Sequence, residues 1–164
     1  IVFGDWSSDV CSSDLVVIDL SSYNIVSQNR DLLEYLITSY VDIVFANEEE
    51  ALAFTGLIPE EAVAALGKLC DISVVKTGKT GSLVHRENHL TRIDPIEAGA
   101  IDTTGAGDSY AAGFLYGLTL GLPLPKCGEI ASLVSARTVE FMGAKIPDTE
   151  WPALLARVKA ITEE

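Results

Sequence analysis

The sequence predicts an α/β protein with a largely parallel central sheet and helices on both faces. Three observations carry that expectation. Strand-like stretches recur at residues 16–20, 42–46 and 72–76, the first a short continuous apolar run as expected of a strand buried on both faces. Stretches with helical spacing of apolar residues lie between them, so strands and helices alternate along the chain. A polar turn punctuated by glycine, Asp102-Thr103-Thr104-Gly105-Ala106-Gly107-Asp108, then feeds directly into a helix of small apolar residues.

The first fifteen residues stand apart. Ser7-Ser8-Asp9 and Ser12-Ser13-Asp14 repeat one tripeptide with neither helical nor strand periodicity. Residues 1–15 therefore read as a non-native junction segment, and the fold is expected over 16–164. Val16, Val17 and Ile18 begin the first strand. A helix around 30–39 carries Leu32, Leu33, Leu36 and Ile37 on one stripe. After the strand at 42–46, Asn47 is placed to cap a helix at 48–55 whose first turn is acidic, which suits the helix dipole. Gly56 closes that helix and Pro59 opens the next, with Ala62, Val63, Leu66 and Leu69 inward.

Strands at 72–76 and 81–85 flank the turn Thr77-Gly78-Lys79-Thr80, and a further short pair is expected between 90–93 and a partner near Ile96. The helix after the glycine turn runs to about Leu118. Ala111, Ala112, Gly113 and Gly117 would let it pack closely on a sheet, while Tyr110, Phe114 and Leu118 supply bulk. A long helix at 125–142 follows, with Ile130, Leu133, Val134 and Phe141 inward and Gly143 as its terminal glycine. A last amphipathic helix covers 151–161.

Composition bounds the function. With 164 residues, 48% hydrophobic and 21% charged, the chain can bury a core as one domain. A formal charge of −13 argues against a nucleic-acid partner. It also means that a polyanionic substrate must be met by local devices such as helix N-termini, a metal ion or a few basic side chains. Cys11, Cys70 and Cys127 are too widely spaced for a C-x-x-C pair, so neither a disulfide framework nor a zinc site is indicated. No apolar run is long enough to span a membrane, and a cytoplasmic enzyme is expected.

The glycine turn is the first place where chemistry is expected. Gly105 and Gly107 lack a Cβ, so backbone N–H groups can approach an anion closely. The first N–H groups of a helix have no intrahelical partners, and the dipole adds positive potential at the same end. Asp108 in that first turn would lie beside the anion, where a carboxylate is costly unless it takes a proton from an attacking hydroxyl. The second place is Asn47 and Glu50. Three apart at a helix start, they can face one point, and Glu50 suits Mg²⁺ held through water. The competing reading there is a capped helix with a solvated acidic turn.

Other patterns are set aside. Gly78-Lys79-Thr80 looks like the end of a P-loop, but Ser73 stands where that motif needs glycine. His85 and His89, four apart across a turn, read as a solvated hairpin tip rather than a metal pair. Gly105-Ala106-Gly107 lacks the third glycine of a dinucleotide fingerprint, since Tyr110 is there. Arg137 reads as a surface or ion-pair residue.

The turn at 102–108, the earlier Asn47-Glu48-Glu49-Glu50 and the order of the two motifs resemble the ribokinase-like (PfkB-type) carbohydrate and nucleoside kinases. The local match is to the adenosine-kinase-like branch, on residues 45–51, 102–117 and 127–131. The resemblance implies a three-layer αβα fold and transfer of the ATP γ-phosphoryl to a primary hydroxyl of a nucleoside or sugar, the acceptor being adenosine-like, ribose, fructose or a related sugar. It implies that Gly105, Ala106 and Gly107 hold the phosphates in transit, that Asp108 is the base, and that Asn47 and Glu50 bind Mg²⁺. It further implies nucleotide contacts along Lys76, Thr77, Gly78 and Gly81, an adenine-side place for Ser132, and a K⁺ site at Asp102 and Thr104. The complete enzyme would be a homodimer. The resemblance covers the C-terminal half of that family, so the acceptor-binding half and its β lid are expected to be absent. A nucleotide-binding fragment without catalysis is the alternative.

Overall fold

The computed structural model describes residues 2–3 and 15–163; residues 4–14, within the expected junction segment, lie outside the described residues. The strands follow the order β1 (Val2–Phe3), β2 (Leu15–Asp19), β3 (Ile43–Asn47), β4 (Ile72–Lys76), β5 (Ser82–Arg86) and β6 (His89–Ile93) across one sheet. The chain forms two compact units. One comprises Ile1–Thr77 with Leu83–Leu90, the other Gly78–Ser82 with Thr91–Glu164.

In the first unit, β2, β3 and β4 are parallel, with Val17 opposite Ile43 and Ile43 opposite Ile72. Four of the five residues of β3 and of β4 are buried, as expected of strands covered on both faces, and the one polar residue among them, Ser73, donates to the Val63 carbonyl. Helices α1 (Tyr23–Gln28) and α2 (Arg30–Tyr40) join β2 to β3, and α3 (Glu48–Thr55) and α4 (Pro59–Leu66) join β3 to β4. Their core includes Val26, Leu33, Ile37, Phe54, Val63 and Leu66 against Val44 and Val75. The α2 stripe is narrower than its sequence suggests: Leu33 and Ile37 are buried, but Leu32 is 55% exposed. At the sheet's margin, β1 pairs antiparallel with β2 through Val2–Val16 and Phe3–Leu15.

Two expectations fail around β5. The second strand pair is a hairpin of β5 with β6, not of residues 90–93 with Ile96, and residues 94–100 form no strand. The cause is the two-residue turn at Glu87 and Asn88, whose φ values of 52° and 63° give the twist that a tight hairpin needs. His85 is consequently inside β5 and 6% exposed rather than at a solvated tip. It lies so close to the backbone of Gly67 that a Cβ there would be 2.1 Å from Nδ1.

The second unit is built on α5 (Ala106–Thr119), α6 (Leu124–Thr138) and α7 (Trp151–Glu163). The small residues of α5 do allow close packing, but against α6 rather than a sheet. A Cβ on Gly113 would come within 2.8 Å of the Ala131 Cα, and one on Gly117 within 2.9 Å of the Cys127 Cα. Ile130 and Leu133 of α6 close a second core with Ile146, Leu154, Val158 and Ile161. Helix α6 ends at Thr138, short of the expected 142. The Val139 carbonyl accepts the N–H groups of Ile101 (2.7 Å) and Asp102 (3.2 Å), so it is engaged from outside the helix. Among the described residues no helix is long and apolar enough to cross a membrane.

Candidate functional site

In the first unit the parallel register brings three polar residues to the C-terminal ends of three strands. Asp19 ends β2 opposite Phe45, and Asn47 at the end of β3 is opposite Lys76 at the end of β4. Lys76 Nζ donates to Asp19 Oδ2 at 2.6 Å, a partly buried ion pair. Asn47 caps α3 reciprocally. Its Oδ1 accepts from the Glu50 N–H at 2.9 Å, while Glu50 Oε2 accepts from the Asn47 N–H and Oε1 from its Nδ2, each at 2.8 Å. Glu50 is only 3% exposed. Burial pushes its pKa above the usual carboxylate value, opposed by the Asn47 N–H; the charge of Asp19 pushes the same way as burial, and that of Lys76 opposes it. The acidic first turn is therefore not uniformly solvated: Glu48 and Glu49 are exposed and Glu50 is not.

In the second unit the chain makes two glycine-dependent turns. Gly78–Thr80 is a 3-10 turn between β4 and β5, not the start of a helix, as the absence of a complete P-loop motif requires. Gly81 follows at φ +96°, where a Cβ would stand 2.0 Å from the Ile93 carbonyl oxygen. At the other turn Asp102 folds the backbone around its own carboxylate. Oδ1 accepts from the Thr104 N–H (2.9 Å) and Oγ1 (2.7 Å), and Oδ2 from the Gly143 N–H (2.8 Å). The Thr104 and Gly143 N–H groups hold the Asp102 pKa below its ordinary value.

Gly105 then takes the left-handed conformation, φ 76°, as the residue before α5. A Cβ there would lie 2.5 Å from that of Ala144, so the position needs glycine twice over. No side chain caps α5. The Ala106 N–H reaches back to the Thr103 carbonyl, and the next first-turn N–H groups, of Gly107 and Asp108, belong to a helix end that ordinarily seeks an external acceptor. Asp108 is exposed in that same turn. Two hydroxyls of α6 hold the turn from behind: Ser135 donates to the Ala106 carbonyl at 3.0 Å, and Thr138 to the Ser109 hydroxyl at 2.8 Å. Ser132 is itself buried, and Ser135, one turn later on α6, makes the contact with the glycine turn.

Residues 9–151 match the pfkB family of carbohydrate kinases. The chain belongs to that family. The pfkB chain is 39% identical over 111 residues to a nucleoside kinase of Methanothermobacter thermautotrophicus, a match covering 66% of this chain and 35% of the relative. Among solved structures it resembles a probable sugar kinase from Rhizobium etli (TM-score 0.80, 31% identity, 88% of this chain and 45% of that one). It also resembles the adenosine kinase from Sinorhizobium meliloti (TM-score 0.79, 33% identity, 87% and 45%). The α/β fold expected from the sequence is that of these ribokinase-family neighbours. Coverage of the first curated relatives is 30% to 41% of their own length, so the pfkB chain spans well under half of each.

Two residue pairs, Asn47 with Glu50 and Asp102 with Thr104, carry oxygens of a kind that suits hard cations. Asn47 and Glu50 bring amide and carboxylate oxygens, the kind Mg²⁺ prefers, beside the Asn47 amide nitrogen. Each Glu50 oxygen already accepts one hydrogen bond, which leaves its second lone pair to accept from a metal-bound water. Among the described residues no group of three or more His, Cys, Asp or Glu is placed to hold a metal ion. Asp102 and Thr104 likewise offer oxygen, with Asp102 held ionised. Asp19 escaped the sequence reading. Its signal was present: an acidic residue ending an apolar strand whose neighbour in the sheet ends on Asn47.

Proposed function

We propose that this chain is the nucleotide-side part of an ATP-dependent kinase that phosphorylates a primary hydroxyl of a nucleoside, adenosine-like, or of a sugar. The observation that carries the reading is the uncapped start of α5 behind a left-handed Gly105, with Asp108 exposed in the same turn. A phosphoryl group in flight needs charge neutralisation and alignment more than covalent assistance, because its transition state is loose. Of the N–H groups of residues 105–107, that of Ala106 is taken by the Thr103 carbonyl, and Gly107 with the start of α5 supplies oriented donors, so little reorganisation is required as charge moves toward the bridging oxygen. Asp108 accepts the proton of the acceptor hydroxyl as the O–P bond forms.

The loop through Lys76, Thr77, Gly78 and Gly81 is assigned to the nucleotide, with Ser132 on its adenine side. Lys76 reaches phosphate only by sharing or leaving Asp19, so that ion pair tunes its availability. Asn47 and Glu50 would hold Mg²⁺ through water, and Asp102 with Thr104 would hold K⁺; bound there, the cations neutralise phosphate charge in an acidic chain. The nucleoside class is favoured by similarity to proteins named nucleoside kinase and adenosine kinase. The complete protein is assigned to the cytoplasm, as a homodimer.

A second reading is favoured by coverage. A chain that spans well under half of its relatives would bind nucleotide without catalysing transfer. Calorimetric titration with a non-hydrolysable ATP analogue and Mg²⁺ tests what both share. Saturable binding that Gly105→Ala weakens supports the anion site, and binding indifferent to that change removes it.

A further inference from the structure

The second compact unit holds both Gly78–Ser82 and the α5 turn, and one buried hydrogen bond joins them. Tyr110 Oη and Ser82 Oγ lie 2.5 Å apart. Tyr110 is 6% exposed and Ser82 2%. Each is attached closely to a segment assigned to phosphate. Ser82 directly follows Gly81, whose backbone is pressed onto the Ile93 carbonyl. Tyr110 comes two residues after Asp108, on the same helix.

The geometry is that of a strut rather than a filler. The Tyr110 ring stacks on Phe114 with centroids 6.4 Å apart and planes 21° from parallel, so packing fixes the ring and leaves only its hydroxyl to be placed. Burial pushes that hydroxyl up to about 12, so it stays protonated and neutral at any working pH. On the opposite side, Ser135 and Thr138 grip Ala106 and Ser109. Farther along α5, Gly113 and Gly117 pack directly on the α6 backbone at Ala131 and Cys127. Hydrogen bonds are directional where apolar contact is not.

We infer that Tyr110 is a positioning residue, whose hydroxyl bond to Ser82 sets the register of the turn at 105–108 against the loop at 78–81. This rests on the proposed kinase reading for its purpose, though not for its existence. If the bond is a strut, its loss loosens both segments together. If it merely satisfies a buried hydroxyl, its loss lowers overall stability and nothing local.

Tyr110→Phe keeps the ring and removes the oxygen; Ser82→Ala removes the partner; the pair completes a cycle. Backbone hydrogen exchange of the whole chain, resolved at the bonded N–H groups of Gly81 in one segment and of Ala106 and Ser109 in the other, is the deciding readout, with urea denaturation run alongside. The strut predicts that each single variant speeds exchange in both segments by roughly three- to tenfold, the scale of one neutral hydrogen bond. It also predicts that the double variant adds little beyond either single. Exchange unchanged in either segment, or raised only in proportion to a global loss of stability, overturns it. Titration with the ATP analogue separates this result from the kinase reading. A wild-type chain that binds no nucleotide refutes that reading, while the exchange data still decide the strut. Binding in the wild type that weakens about as much in either single variant as in the double supports both.

Discussion

Asp108 and Gly105 divide the proposed chemistry between a side chain and a backbone, and their substitutions should fail differently. Asp108→Asn keeps the size of the side chain and removes the base. In the complete enzyme, turnover should fall by about 10²–10⁴-fold with ATP affinity nearly intact, since the phosphates are held by N–H groups. Steady-state rates and analogue titration check this, and turnover within a factor of about three of wild type would exclude the base role. Gly105→Ala acts on the frame. A left-handed backbone costs a non-glycine residue about 1–2 kcal/mol, and the added methyl would meet Ala144 at 2.5 Å. Thermal and urea unfolding should both report destabilisation. Single residues were legible in the sequence where their role is local: Gly105, Asn47 and Gly56 all announce turns or caps. Asp19 was not, because its partner Lys76 lies 57 residues away and only the parallel register joins them.

At the scale of elements, α3 shows what makes boundaries readable. Its residues Glu48–Thr55 coincide with the sequence expectation because Asn47 and a left-handed Gly56 stop it from both ends by local chemistry. Helix α1 has no side-chain cap and α6 ends where Ile101 and Asp102 reach its last carbonyl, so neither limit was written locally. The capping box of α3 carries a stability prediction. Asn47→Ala should cost about 1 kcal/mol in urea denaturation. Glu50 adds a pH dependence whose sign follows from its raised pKa. Folding favours the protonated carboxyl, so that contribution is present below the unfolded value of 4.5 and is lost as pH rises through the higher folded value. Glu50→Gln is neutral throughout. Wild type should therefore lose ground to Glu50→Gln as pH rises from below 4.5 toward neutrality, over a constant offset for the altered cap. A difference in urea midpoint that does not move with pH would show that Glu50 is not strained by its burial.

For the whole molecule, the decisive quantity is how much of a kinase these 164 residues represent. The groups proposed for the nucleotide side lie on the described chain: Asn47, Glu50 and Lys76 in one compact unit, Gly78, Gly81 and the 102–108 turn in the other. The matches cover only part of each relative, 35% of the Methanothermobacter nucleoside kinase and 45% of the Sinorhizobium adenosine kinase. Phosphoryl transfer needs donor and acceptor aligned, and losing the alignment of one substrate forfeits on the order of 7–11 kcal/mol of proximity advantage. A deficit of that size is a rate loss of more than about 10⁵-fold, which places turnover below detection even if the nucleotide is held well. The chain by itself should therefore bind the ATP analogue weakly and release no ADP in response to an acceptor. A coupled ADP-release assay across adenosine, cytidine, ribose and fructose measures this directly. Saturable release that depends on one of those acceptors would mean that these residues already contain the acceptor site, and the fragment reading would give way to a complete kinase.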